Sequence, residues 1–457
     1  MKVWILIVLE VIRRHIGWFW FGLIFFAAIF LLQFKFSFFY PTNMVRIGLI
    51  GTYQEHDIPL EVTKLISESL VTTDENGRVK PNIVTDWEIN NSATEFRFRL
   101  KDGLLWSDGT PIQASDIIFN IPNTEVTFPD EKTIQFNLKE SYSPLPSLLT
   151  QPVFKKGSLI GTGPYQVTRT EKSRIFITKI VLESNNPNLP MVQIRFYPNE
   201  KVAITGFNLG EVSSIMGISN PKLFSENPKV NISQSPDFTK IVSILFNTND
   251  SLLSNRSLRQ ALSYITPKIA DKIEANNPYP PTFWAYDASA KKYLSNTQEA
   301  EAALDRAKSA LAKDMLKAEI ILTATPNLED IGRAVVERWQ TLGFDVKLRI
   351  ESGIPQNFQA LLITQSIPTD PDQYLLWHAT QTKTNLTKYD SKRVDKDLED
   401  GRKVIVEAER KSLYFDFQKT LLEDAPATFL YFPKYNVVYT KRVKSRLDKV
   451  LEINLRR

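Results

Sequence analysis

The 457-residue sequence has no cysteine and only three histidines. Without cysteine there is no disulfide, no thiolate metal site, no cysteine nucleophile and no cysteine to carry a lipid anchor. His15, His56 and His378 stand far apart, so no His-Glu-x-x-His or other close metal-ligand spacing occurs. Gly-x-Ser-x-Gly is missing, as is a phosphate loop. The body of the chain also carries no basic run interleaved with aromatics, which argues against nucleic acid as a partner. No catalytic residue, metal ligand or cofactor is expected from this inventory.

What is present describes a folded protein. Hydrophobic content is 43% and charged content 23%, with no disordered bulk. The length is too great for one ordinary core and suits two lobes. Residues 16–34 contain no charge and are dominated by Trp, Phe, Leu and Ile. At about 1.5 Å per residue such a run spans nearly 30 Å, the thickness of a hydrocarbon core. Arg13-Arg14 precedes it and Lys35 follows, so the positive-inside bias places residues 1–15 in the cytoplasm and the body outside. A cleaved signal peptide is the alternative, but the bulky Phe36-Ser37-Phe38-Phe39-Tyr40 offers no small-x-small site, and an uncleaved signal anchor is expected.

Further along, Met44–Ile50 is a short apolar strand, and Asp57 with Pro59 opens a helix. Glu95 to Leu100 alternates charged and apolar residues, the pattern of a half-buried strand with Phe96, Phe98 and Leu100 inward. Asp108-Gly109-Thr110-Pro111 turns the chain, Ser115-Asp116 starts a helix of about two turns that Pro122 ends, and Val126–Leu138 forms a hairpin. Gly161-Thr162-Gly163 reads as a structural turn, since a strand and not a helix follows it. In the second half, Asn296 caps one helix and Asn327 another, Gly343 stops the second, and an alternating strand follows at Phe344–Ile350. Strand and helix alternate here, which points to α/β architecture.

Pro81, Trp87-Glu88, Phe96–Leu100, Trp106-Ser107-Asp108-Gly109-Thr110-Pro111 and Ala114-Ser115-Asp116 together resemble the signature of the family 5 extracellular solute-binding proteins, the peptide, nickel and related binding components of ABC importers. The resemblance covers about residues 44–445. It implies a bilobal, periplasmic-binding-protein-like α/β fold behind one N-terminal transmembrane helix, with lobe one at 41–245, lobe two at 246–431 and a return segment at 432–457. The short stretch between Asp116 and the hairpin implies a trimmed subdomain.

The implied function is capture of a peptide or peptide-like solute in an interlobe cleft and delivery to a permease and its ATPase, on the outer side of the cytoplasmic membrane. The implied ligand-binding residues are Tyr53, Asn247, Thr364, Gln365, Asp370 and Trp377. Tyr53 reads equally as a surface aromatic and Trp377 equally as a core residue. Where peptide binders of this family place an ammonium-capturing Asp, three positions before an Asp-Pro pair, this sequence has Ile367 before Asp370-Pro371. Asp370 or Asp372 substitutes, or the ligand is a blocked or internal peptide, or it is not a peptide. His378 is a bystander to any metal. The alternative is a membrane-tethered adaptor or chaperone-like protein that has lost solute binding.

Overall fold

The computed structural model describes residues 20–22, 24–26, 43–312 and 315–455. Among them no helix is long and apolar enough to cross a membrane. The span expected over residues 16–34 lies, apart from 20–22 and 24–26, outside the described residues, as does the expected cytoplasmic segment 1–15.

Strand β1 (Met44–Ile50) leads through α1 (Leu60–Ile66) to a hairpin of β2 (Val71–Thr73) and β3 (Val79–Pro81). A small antiparallel sheet follows, made of β4 (Val84–Ile89), β5 (Glu95–Leu100), β6 (Thr124–Thr127) and β7 (Thr133–Leu138) in the order β4-β5-β7-β6. The alternation in β5 reads true: Phe96, Phe98 and Leu100 are buried against Trp106, Ile134 and Phe136, while Arg97 and Arg99 face water. The helix expected from Ser115 is instead one 3-10 turn at Ala114–Asp116. Asp116 closes that turn on itself by accepting from the Gln113 amide at 3.0 Å. Ile117 then goes extended to bridge Lys155, as suits a β-branched residue that can bury its side chain there.

Strands β8 (Gln166–Ser173), β9 (Phe176–Glu183) and β10 (Met191–Tyr197) bring the chain back beside β1, and α2 (Glu200–Asn208), β11 (Ser214–Met216) and β12 (Val230–Pro236) complete most of the first lobe. The second lobe holds β13 (Lys240–Phe246), α3 (Arg256–Ile265), β14 (Ile273–Glu274), α4 (Thr297–Ala310), β15 (Ile320–Ala324), α5 (Glu329–Gln340), β16 (Val346–Ile350) and β17 (Ala360–Ser366). It ends with α6 (Lys392–Lys403), α7 (Glu407–Asp424) and β18 (Ala427–Phe432), after which β19 (Lys434–Thr440) and α8 (Lys444–Leu455) return to the first lobe. Asn296 caps α4 as expected, accepting from the amides of Gln298 and Glu299. Asn327 instead lies in a 3-10 turn before α5, which begins with no side-chain cap.

The two sheets run β12-β19-β11-β1-β10-β9-β8 and β14-β18-β13-β17-β15-β16. β13 explains its own composition. Val242, Ile244 and Phe246 pack with α3 and α5 on one face, and Ile241 and Leu245 pack with α7 on the other. A central strand buried on both faces reads as an unbroken apolar run.

That burial also moves the lobe boundary. β12 ends in the first sheet at Pro236 and β13 begins in the second at Lys240, so the chain crosses at Asp237–Thr239, not at the expected 245–246. Pro433 makes the return crossing between β18 and β19. Proline cannot donate to a ladder, so each crossing interrupts pairing where the chain changes sheets. The Asp237 amide donates to the Pro433 carbonyl at 2.8 Å, and Phe238 sets its ring edge on Phe432 at 5.2 Å. The two crossings therefore form one tied hinge.

Candidate functional site

A cavity of about 330 Å³ lies beside this hinge, with one wall from each lobe. Lobe one contributes Ser67, Glu68 and Ser69 at the end of α1, and lobe two contributes Phe238, Phe283 and Ile367. Two cavities of about 1000 Å³ each are larger. One is lined by lobe-one residues alone, and the other also takes walls from both lobes, over Tyr142 and Arg402, but lies away from the crossings. Only the smaller space has the hinge residues Phe238 and Thr239 in its lining, so its width is set by the motion two crossing strands permit.

The lobe-one wall is polar and rigidly held. Ser67 Oγ accepts from the Thr162 amide at 3.1 Å and donates to the Val153 carbonyl, and the Glu68 amide donates to Thr162 Oγ1 at 3.0 Å. The glycines flanking Thr162 allow this approach. A Cβ on Gly161 would sit 2.3 Å from the Ile66 carbonyl oxygen, and one on Gly163 2.7 Å from the Ile66 carbonyl carbon. The expected structural turn is thus a clamp on the floor of the cleft.

The lobe-two wall is largely apolar, with Phe238, Phe283 and Ile367 beside prolines and threonines. The lobe-two carboxylates that follow Ile367 in the chain are engaged elsewhere, while Glu68, Asp74 and Glu75 line the cavity from lobe one. The Ile367 amide donates to the Thr239 carbonyl at 2.7 Å, fixing the wall to the hinge. Asp370 takes Arg410 Nη2 at 2.6 Å with both side chains nearly buried. Arg410 Nε in turn donates to the Gly401 carbonyl at 3.0 Å, and its guanidinium lies over Trp284. Burial pushes the Asp370 carboxyl up from its ordinary range, and Arg410 works against that shift. Asp372 Oδ2 takes Arg402 Nε at 2.9 Å, and the Arg402 guanidinium lies between the rings of Tyr374 at 3.7 Å and Tyr142 at 5.4 Å. Both carboxylates are therefore neutralised by the protein's own guanidinium groups.

The lobes also touch at two places beside the cleft. The Trp284 amide donates to the Asn76 carbonyl at 2.8 Å, with Gly77 at φ +75° beneath Phe283, where a Cβ would approach the ring to 2.2 Å. Arg78 forms an ion pair with Glu407 at 3.0 Å. On the other side the Ser143 amide donates to the Arg402 carbonyl at 2.7 Å.

None of the six residues expected to bind ligand lines the cavity beside the hinge. Tyr53 gives its hydroxyl to the Ile50 carbonyl at 2.9 Å and its ring edge to Phe196. Asn247 sits past the far end of β13, donating to the Phe358 carbonyl at 3.0 Å. Thr364 and Gln365 pair with Val242 and Ile241 in the sheet, and Gln365 Oε1 accepts from Ser243 Oγ at 2.9 Å. Asp370 is held by Arg410, and Trp377 is 2% exposed in the lobe-two core with its indole donating to Gln373 at 2.7 Å. His378 is buried beside Glu399 and Thr380, and among the described residues no group of three or more His, Asp or Glu could hold a metal. Phe238, Phe283 and the Ser67–Ser69 segment were not anticipated. The one available signal was the proline at each crossing, which marks where the hinge lies.

The model for bacterial extracellular solute-binding proteins, family 5 Middle, matches residues 78–124 and 120–385. The probable D,D-dipeptide-binding periplasmic protein DdpA of Escherichia coli is 22% identical over 439 residues, covering 82% of this chain and 84% of that one. NikZ from Campylobacter jejuni, solved with Ni(L-His), superposes with a TM-score of 0.70 at 21% identity, covering 88% of this chain and 95% of its own. AppA from Bacillus subtilis, solved with a nonapeptide, gives 0.65 at 21% identity over 87% and 94%.

Proposed function

The chain belongs to the family 5 bacterial extracellular solute-binding proteins, and on that premise we propose that it captures a peptide or peptide-like solute between its lobes for an ABC importer. The observation that carries this reading is the cavity at the hinge, with its polar wall on lobe one and its apolar wall on lobe two. Closing two lobes on a solute and presenting the closed form to a permease is a population shift that ligand binding can drive. Relatives named for D,D-dipeptides and oligopeptides support a peptide as the solute. The apolar run at 16–34 is the proposed tether, leaving the body on the extracytoplasmic side.

The lobe-two wall narrows the solute further. Lobe two offers an ammonium group no free carboxylate, because Asp370 and Asp372 are paired with Arg410 and Arg402, whereas Glu68, Asp74 and Glu75 of lobe one line the same cavity. Leaving such a charge unpaired costs several kcal/mol. The preferred ligand therefore turns a blocked or internal peptide segment to the lobe-two wall, and any free amino end would have to face the lobe-one carboxylates.

A thermal-shift panel tests both statements, using peptides of two to eight residues with acetylated or free amino ends. A ligand at a hundred times its dissociation constant stabilises the native state by about 2.7 kcal/mol. Acetylated peptides are expected to raise the melting temperature and free ones to do so less. An equal response would remove the blocked-end reading. No response to any peptide would turn the assignment toward another solute or toward an adaptor without one.

A further inference from the structure

At the end of the first sheet remote from the cleft, a groove of about 840 Å³ opens where β1 begins and β19 ends. Its lining includes Arg46, Lys229, Lys441, Arg442 and Arg446 and no aspartate or glutamate. The whole chain carries a formal charge of only +5 over 457 residues, so one cavity with five cations and no acid is a marked concentration of one sign. These cations come from four places in the chain and are held by the backbone. The Lys441 amide donates to the Lys229 carbonyl at 3.0 Å, the Ser213 amide to the Arg46 carbonyl at 2.8 Å, and the Thr440 amide to the Ser213 carbonyl at 3.0 Å. The neighbouring Lys444 is already paired with Asp448 at 2.6 Å, one turn along α8.

The groove also has a definite position in the fold. β12 and β19 pair antiparallel from Val230 opposite Thr440 at the groove to Pro236 opposite Lys434 at the hinge. Seven residues of strand, about 20 Å, therefore separate the basic end from the cleft. Met44 lines the groove, and residues 35–43 are all that lie between it and the last residue of the apolar run at 16–34. Nine residues reach at most about 30 Å when fully extended. A chain held in a bilayer by that run keeps this end of the first sheet within about 30 Å of the lipid headgroups.

We infer that the basic groove docks on an anionic phospholipid surface, orienting the tethered body with its cleft toward the aqueous side. The inference rests on the proposed tether at 16–34. Basic side chains near an anionic leaflet act within about a Debye length, so the contact is sensitive to salt. A single apolar anchor fixes where a protein is but not how it is turned, and a basic surface supplies that second constraint.

The test uses the full chain in vesicles of phosphatidylcholine alone or of phosphatidylcholine with 30% phosphatidylglycerol. Because the chain has no cysteine, Asn227→Cys beside the groove or Ile354→Cys on lobe two places a single donor dye, with an acceptor dye on the lipid headgroups. Transfer from position 227 is expected to rise in the anionic vesicles and fall back in 0.5 M KCl. The variant Lys441→Glu with Arg442→Glu and Arg446→Glu is expected to abolish the rise, with position 354 changing less throughout. Lys229→Gln with Lys441→Gln, which alters exposed positions only, should reduce the same salt-sensitive rise even if the triple variant fails to fold. Equal transfer in the two lipids, or a rise that survives the substitutions, would overturn the inference. Retention on pure phosphatidylcholine through a salt wash reports the tether separately. Salt-sensitive binding to anionic vesicles alone would support the groove and overturn the tether, and binding to neither would overturn both.

Discussion

Two clusters of charge in this molecule differ in almost every respect. Around the lobe-two wall, Asp370, Asp372, Arg402 and Arg410 are largely removed from water and each is paired. At the far end of the first sheet, five cations surround an open groove with no acid in its lining. A buried charge survives only when it is neutralised in place, so the first cluster is architecture. An exposed set of one sign costs the fold little and leaves its field available outside. Charge therefore tells more about function in this protein where one sign gathers around an open groove.

The sharpest way to break this contrast is to unpair the buried cluster. Arg410→Met leaves Asp370 buried without its partner, and a loss of about 3–5 kcal/mol in urea unfolding is expected. Adding Asp370→Asn should restore much of it, because the stranded charge is then gone. If Arg410→Met alone costs under about 1 kcal/mol, the pair is not structural and Asp370 becomes available to a ligand.

A second prediction concerns Asp397 on α6. Burial, and then the neighbouring Asp416, raise its carboxyl from the ordinary range to about 7, and its Oδ2 is buried with no hydrogen-bond partner. The folded state thus binds this proton more tightly than the unfolded chain does. This contribution to stability is complete below about pH 4 and is lost as pH rises toward 7, amounting to at most about 4 kcal/mol. Asp397→Asn should raise the melting temperature at pH 8 and change it little at pH 4. An equal effect at both would show that Asp397 is not the titrating group.

Smaller effects are expected at the surface. Arg78→Ala removes an ion pair whose side chains are 41% and 49% exposed, and a change under about 1 kcal/mol is predicted by urea unfolding. Lys229→Gln in the groove should alter stability by no more than about 0.5 kcal/mol. A larger loss there would mean that the groove cations hold the fold together as the buried ones do.

Much of the frame was legible from residue order. Phe96, Phe98 and Leu100 announced their strand by period. Local chemistry misled where tertiary contacts took over, as at Ile117, which pairs with Lys155 in place of extending a helix. The cleft was not legible, because Phe238, Phe283 and Ile367 come together only through the crossings and their loops. Trp377 and Asp370 show the same limit. A tryptophan on a short helical turn reads alike for core and ligand, and the partner that neutralises Asp370 stands forty positions away at Arg410.

The central claim is that solute sits between the lobes at the hinge. Ile367→Arg places a long cation in that space, replacing a half-buried side chain at the edge of the lobe-two core. Isothermal titration of an acetylated peptide that stabilises the unaltered chain should show binding weakened at least a hundredfold in this variant, with a cooperative unfolding transition still present. Undiminished affinity would contradict the account and place the ligand elsewhere, such as in the larger lobe-one cavity bounded by Phe119 and Phe154.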